Sequence, residues 1–195
     1  MTGLVVGLDV GHVDERRADH DLQGLVRDLP AGMVRAAATH WATAGGRPHV
    51  ALSVELRAGT PTSTAALLTE RLAELAPRWS VVLGDEVHGD AALRDAAAAA
   101  RDAHASCRSG RAVHYPGVES LVGTMTAQEL LDRSAVDRVR VLTAGEAPPG
   151  TRIVTRGHVR PTWADGELVL LTQPATGGAL VPFESPSPTA CCADH

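Results

Sequence analysis

HVALSVEL, residues His49–Leu56, is the stretch on which the fold turns. Val50, Leu52, Val54 and Leu56 occupy every second position. A period of two belongs to an extended strand, whose side chains alternate between two faces. A strand with one apolar face is typical of an antiparallel or mixed sheet. Toward the N-terminus, LVVGLDV (Leu4–Val10) repeats the pattern, with Leu4, Val6, Leu8 and Val10 on one side and Gly7 and Asp9 on the other. Between the two lie a dense polar stretch at Gly11–Asp21, read as a loop or a helix start, and Leu29–Ala44, whose spacing predicts a helix. Pro30 suits the first turn of that helix, and Gly45–Gly46 supplies a stop.

Toward the C-terminus, Thr60-Pro61-Thr62-Ser63 reads as the start of a helix from about Thr64 to Ala76, striped by Leu67, Leu68, Leu72 and Leu75. Ser80–Leu83 is a short strand, and Asp90–Ala105 is an alanine-rich helix of high intrinsic propensity. Thr126 and Glu129 have the spacing of a capping box, which opens a short helix ending at Arg133. From about Val136 the pattern turns to short strands: Arg138–Leu142, Arg152–Thr155, His158–Trp163 and Glu167–Leu171. Ala164-Asp165-Gly166 is a hairpin turn between the last two. The expectation is an α/β or α+β chain: one globular domain over residues 1–183, with helices flanking a mixed sheet and a β-rich last third. A proline-rich tail, 184–195, ends in CCADH.

Composition narrows the chemistry. The chain of 195 residues carries no Lys and no Asn, and Ile153 is its only Ile. Residues with AT-rich codons are scarce, which points to a high-GC bacterial genome and explains the use of Arg without invoking function. Without a lysine amine there is no Schiff-base chemistry, no standard P-loop and no protein-kinase core. The net charge of −5 disfavours nucleic-acid binding, which rests on clustered positive charge. Asp9 interrupts the first apolar stretch, so the N-terminus does not read as a secretion signal, and no run is long and apolar enough to span a bilayer. The expected location is the cytoplasm. The three cysteines, an odd number, argue against a disulfide framework.

Two constellations carry candidate chemistry. The first is terminal: Cys191, Cys192 and His195 place two thiols and an imidazole within five residues. That is the donor set zinc prefers, with a fourth group to come from elsewhere in the chain. Cys192 and His195 have the better chelating spacing, because the side chains of adjacent cysteines diverge.

The second constellation rests on an internal echo. Val5–His12 reads VVGLDVGH and Val81–His88 reads VVLGDEVH. Both run into Asp-x-x-His, giving Asp9, His12, Asp85 and His88. If the two strands lie side by side and parallel, all four residues emerge at one sheet edge, where two carboxylates and two imidazoles could hold a divalent metal and activate water. His158-Val159-Arg160, behind Thr155 and Arg156, is a weaker candidate for gripping an anion. There is no G-x-S-x-G and no G-x-G-x-x-G.

The functional expectation is therefore a protein that binds a divalent metal, zinc or iron, with metal-dependent hydrolysis as the activity it would serve. The alternative is a non-enzymatic binding or assembly protein that associates with itself.

Overall fold

The computed structural model describes residues 3–43, 47–59 and 63–185. The expected mixed sheet with flanking helices is present. The chain divides into two compact units, one formed by residues up to Pro116 with Thr162–Gly166, the other by Gly117–Pro161 with the residues from Glu167 onward.

In the first unit, β1 (Leu4–His12), β2 (Val34–Ala42), β3 (His49–Leu56), β4 (Ser80–Leu83), β5 (Glu86–Gly89), β6 (Arg111–His114) and β11 (Thr162–Ala164) form a sheet in the order β5-β4-β1-β3-β2-β6-β11. Every pairing in it is antiparallel. Helices α1 (Glu15–Asp28), α2 (Ser63–Leu75) and α3 (Arg94–Ala105) belong to this unit.

The alternation read in β1 and β3 sorts side chains as expected. Val6, Leu8, Val50, Leu52, Val54 and Leu56 turn to one side and pack with Ala18, Leu22 and Leu25 of α1 and Leu68 and Leu72 of α2. All eight residues of β3 are nevertheless buried, so its second face is covered too. That face lies beneath α3, which buries Ala96, Ala97, Ala100 and His104. Gly7 of β1 permits the approach: a Cβ there would stand 1.9 Å from the carbonyl oxygen of Ala97.

The helix expected at Leu29–Ala44 is instead a turn followed by strand β2. Helix α1, extending well beyond the polar stretch that suggested its start, ends at Asp28, and Leu29 is already extended (ψ 150°), the conformation favoured before proline. A turn then closes from the Met33 amide to the Pro30 carbonyl, with Gly32 at φ +77°. The alanines of VRAAATHWA are good helix formers, but pairing on both sides, with β3 and β6, outweighs that preference. Asp14 caps α1 by accepting the Arg16 amide. The expected cap at 60–62 lies outside the described residues.

In the second unit, β7 (Thr124–Thr126), α4 (Ala127–Arg133), β8 (Arg138–Val141), β9 (Gly145–Glu146), β10 (Arg152–Val154), β12 (Glu167–Pro174) and β13 (Leu180–Pro182) follow one another. Here parallel and antiparallel pairings mix, with β8 on β12 and β10 on β13 parallel and the rest antiparallel. The capping box forms as read: the Glu129 amide donates to Thr126 Oγ1 and the Thr126 amide to Glu129 Oε2. Of the strand expected at His158–Trp163 only Thr162 and Trp163 are extended in a ladder, within β11; His158 still closes the turn made by Arg156 and Gly157 at positive φ, its amide donating to the Thr155 carbonyl.

Candidate functional site

The polar groups of the first unit gather under α3. Ser53 and Glu55 stand on β3 at the positions between its valines, and His40 stands on the neighbouring β2. His104 comes from the last turn of α3, four residues beyond Ala100 on the helix's buried stripe. Ser53 Oγ lies 2.7 Å from His40 Nε2 and 2.7 Å from His104 Nδ1. His104 Nε2 is 3.9 Å from Glu55 Oε2, and Glu55 Oε1 accepts a 2.8 Å bond from Arg35 Nη1. The Trp163 ring covers His104 with 4.5 Å between centroids. Ser53 has no exposed surface and His104 only 2%.

Burial holds both imidazoles neutral, pushing His104 down to about 4 and His40 to about 3. A hydroxyl has one proton, so Ser53 donates to one ring and accepts an N–H from the other. His104 Nε2 is left without a hydrogen-bond partner. A serine between two imidazoles, with a carboxylate beyond, contains the groups of a nucleophilic relay, but a sealed hydroxyl offers no approach to a substrate.

A second buried pair lies on the same side of the sheet. Asp9 Oδ1 accepts the Gly11 amide at 2.7 Å, and Asp9 Oδ2 meets His49 Nε2 at 2.8 Å. His49 Nδ1 donates to the Arg47 carbonyl, so the contact with Asp9 needs one further proton, carried by either group. Burial raises the Asp9 carboxyl against the pull of the Gly11 amide and His49. Burial also pulls His49 down, but the Arg47 carbonyl and Asp9 outweigh it and the imidazole is raised. Sequence reading missed His49, His40, Ser53, Glu55 and His104 as a set.

Strands β1 and β4 are neighbours, but antiparallel rather than parallel. Asp9 pairs in register with Ser80, whereas Leu83, two residues before Asp85, pairs with Val6. The two Asp-x-x-His segments therefore leave opposite ends of the strand pair. Asp85 sits in the turn between β4 and β5, and His88 is exposed on β5, 3.6 Å from Glu86. His12 lies at the end of β1, with Nε2 3.6 Å from Asp21 Oδ2. Burial lowers the His12 imidazole against the opposing effect of Asp21. Cys191, Cys192 and His195 lie outside the described residues. Among the described residues, no three His, Cys, Asp or Glu side chains are arranged to hold a metal ion.

His158 bonds Glu184 at 2.8 Å, and Arg160 Nη1 donates to the Val159 carbonyl. A cleft of about 250 Å³ is lined by Val10, Gly11, Ala76, Pro77, Arg78 and Leu93, and none of the sealed network opens into it. Among the described residues, no helix is long and apolar enough to cross a membrane.

The outer face of the second unit's sheet has a different character. Leu168, Leu170 and Thr172 of β12 are buried, which turns Leu171 the other way, to the side where Val169 is also buried and Leu171 itself is exposed. The Phe183 amide donates to the Leu171 carbonyl, and the Leu142 amide to the Thr172 carbonyl. Leu142, Leu171 and Phe183 are 41%, 40% and 51% exposed. Arg138 of the same sheet bonds Glu146 at 3.0 Å and Glu167 at 2.8 Å, and Arg140 lies in register with both Leu171 and Glu146.

No protein-family model matches the chain, and no curated protein or solved structure matches it.

Proposed function

We propose that this is a non-enzymatic binding protein that associates with a second copy of itself through the outer face of the second unit's sheet. The observation that carries the reading is the exposed group of Leu171 on β12 with Leu142 and Phe183, which directly follow β8 and β13 and bond to the β12 backbone. Adjacent exposed apolar side chains on a sheet face gain from being covered. Charge favours a second copy as the cover. Arg138 and Arg140 balance Glu146 and Glu167 in this part of the sheet, while the whole chain carries −5. Two such faces meet without the net repulsion that other surfaces of so acidic a chain would generate. The sealing of Ser53, His40 and His104 further supports a binding role over a catalytic one.

The test is substitution. Leu171→Ser with Phe183→Ser removes the apolar group and leaves the charges. A dimer in the parent chain that becomes a monomer in the double variant, by light scattering, supports the proposal; an unchanged mass rejects it.

A second reading retains a divalent metal, zinc or iron, with metal-assisted hydrolysis. Its support is donor chemistry: thiolates at Cys191 and Cys192 with an imidazole at His195, and Asp9 and His12 near the end of β1. Metal content of the full chain, before and after Cys191→Ser with Cys192→Ser, tests it. Stoichiometric metal lost on substitution favours this reading, and no metal in either sample removes it.

A further inference from the structure

Helix α3 is held to its sheet by unusual means. Its buried side chains are three alanines and one histidine, and the apolar cluster that Ala96 and Ala100 join beneath the helix adds only Ala51, with Ala42 beside it. Alanine buries little surface, so apolar burial contributes far less here than on the opposite side, where leucines of α1 and α2 fill the core. What remains specific is polar: the bond between His104 and Ser53, the Trp163 ring against His104, and the Arg101 guanidinium donating to the Gly84 carbonyl beyond β4.

We infer that α3 is an acid-released cover, freed from the sheet when His40 and His104, which share the Ser53 hydroxyl, both take up protons. Each uncharged ring has one N–H and one bare nitrogen, so the single hydroxyl proton satisfies the pair. When both rings are charged, both nitrogens facing Ser53 are donors. The hydroxyl proton loses its acceptor, and two cations lie 6.4 Å apart, centroid to centroid, without water.

The surroundings compensate only one of these charges. Glu55 of β3 faces His104 at 3.9 Å but is already bonded to Arg35 of β2. Asp9 of β1 is engaged with His49 of β3. Strand β4 (SVVL) has no ionisable side chain, β11 presents the Trp163 ring, and Arg101 and Asp102 of α3 pair with each other. His104 is the charge that acts on His40. The His40 ring packs against Gly110, where a Cβ would stand only 2.4 Å from His40 Cε1. Undocking α3 relieves both rings, since His104 leaves with the helix and His40 gains solvent.

Amide hydrogen exchange on the full chain tests this, read by mass spectrometry as protection factors corrected for the intrinsic pH dependence of exchange. From pH 7 to pH 5, protection of Arg94–Ala105 is expected to fall by about a hundredfold, while that of His49–Leu56 changes less than about threefold. His104→Gln removes one of the two protons and halves the slope; where that variant does not fold, His40→Gln does the same. Equal loss in helix and strand, or α3 protection that ignores pH, overturns the inference.

Discussion

Ser53 Oγ lies 2.7 Å from His104 Nδ1, joining the middle of strand β3 to the last turn of α3 across 51 residues of chain. The bond is fully buried and the hydroxyl is shared with His40. Around this contact the first unit replaces an apolar layer with a polar one.

Removing the hydroxyl leaves two buried imidazoles facing a methyl group. Ser53→Ala is therefore expected to lower stability by about 1–3 kcal/mol, the cost of leaving a buried polar group unsatisfied. A fall in the urea midpoint at constant slope would show it, and an unchanged midpoint would place the network outside the stability of the fold.

The same residues set a pH dependence with a definite sign. Burial holds His104 near 4 and His40 near 3, both below the ordinary imidazole value of 6.5. Above pH 6.5 neither folded nor unfolded chain protonates them, and their contribution to stability is complete. As pH falls from 6.5 toward 4, the unfolded chain binds protons that the folded chain does not, and stability declines; below about 3 the decline from these two groups ends. Urea midpoints from pH 8 to pH 4 should fall below pH 6.5, and more gently in His104→Gln.

His49 behaves in the opposite sense. The Arg47 carbonyl and Asp9 raise its imidazole despite burial. Asp9→Asn removes the charge and one acceptor, so the His49 ring resonance should titrate at lower pH than in the parent chain. Imidazole NMR reads this directly, and an unmoved midpoint would mean that Asp9 does not govern the ring.

Gly7→Ala probes how closely α3 approaches the sheet. The added methyl would meet the Ala97 carbonyl at 1.9 Å, a backbone atom that cannot rotate aside. Overpacking of this kind typically costs about 1–3 kcal/mol, and here the helix must move for the methyl to fit. Reduced thermal stability together with loss of α3 protection is expected; Gly24→Ala, where a Cβ would meet only the end of Arg27, is the control.

Strands β1 and β3 were legible because their valines and leucines alternate, and β4 because Val81, Val82 and Leu83 form a short apolar run. The turn at Asp165–Gly166 was legible because both residues take positive φ there. Strand β2 was not: Ala36, Ala37, His40 and Trp41 also fit a helical period, and only pairing with β3 and β6 decides between the two. The polar network was hidden for a related reason. Ser53 and Glu55 occupy the off-positions of an alternating strand, which in isolation reads as a solvated face. The available signal lay in α3, where Ala96, Ala100 and His104 recur every four residues and place one imidazole on an otherwise alanine stripe. The Asp-x-x-His echo did identify neighbouring strands, but direction is not written in so short a match, and the antiparallel pairing sends the two segments apart.

The most direct test of self-association is sedimentation velocity of the unmodified chain across a wide concentration range at pH 7.5. A single boundary that shifts from about 20 kDa at high dilution toward twice that mass as concentration rises is the predicted result, given a chain of 20.3 kDa. A boundary that remains at the monomer mass at every concentration would contradict the account.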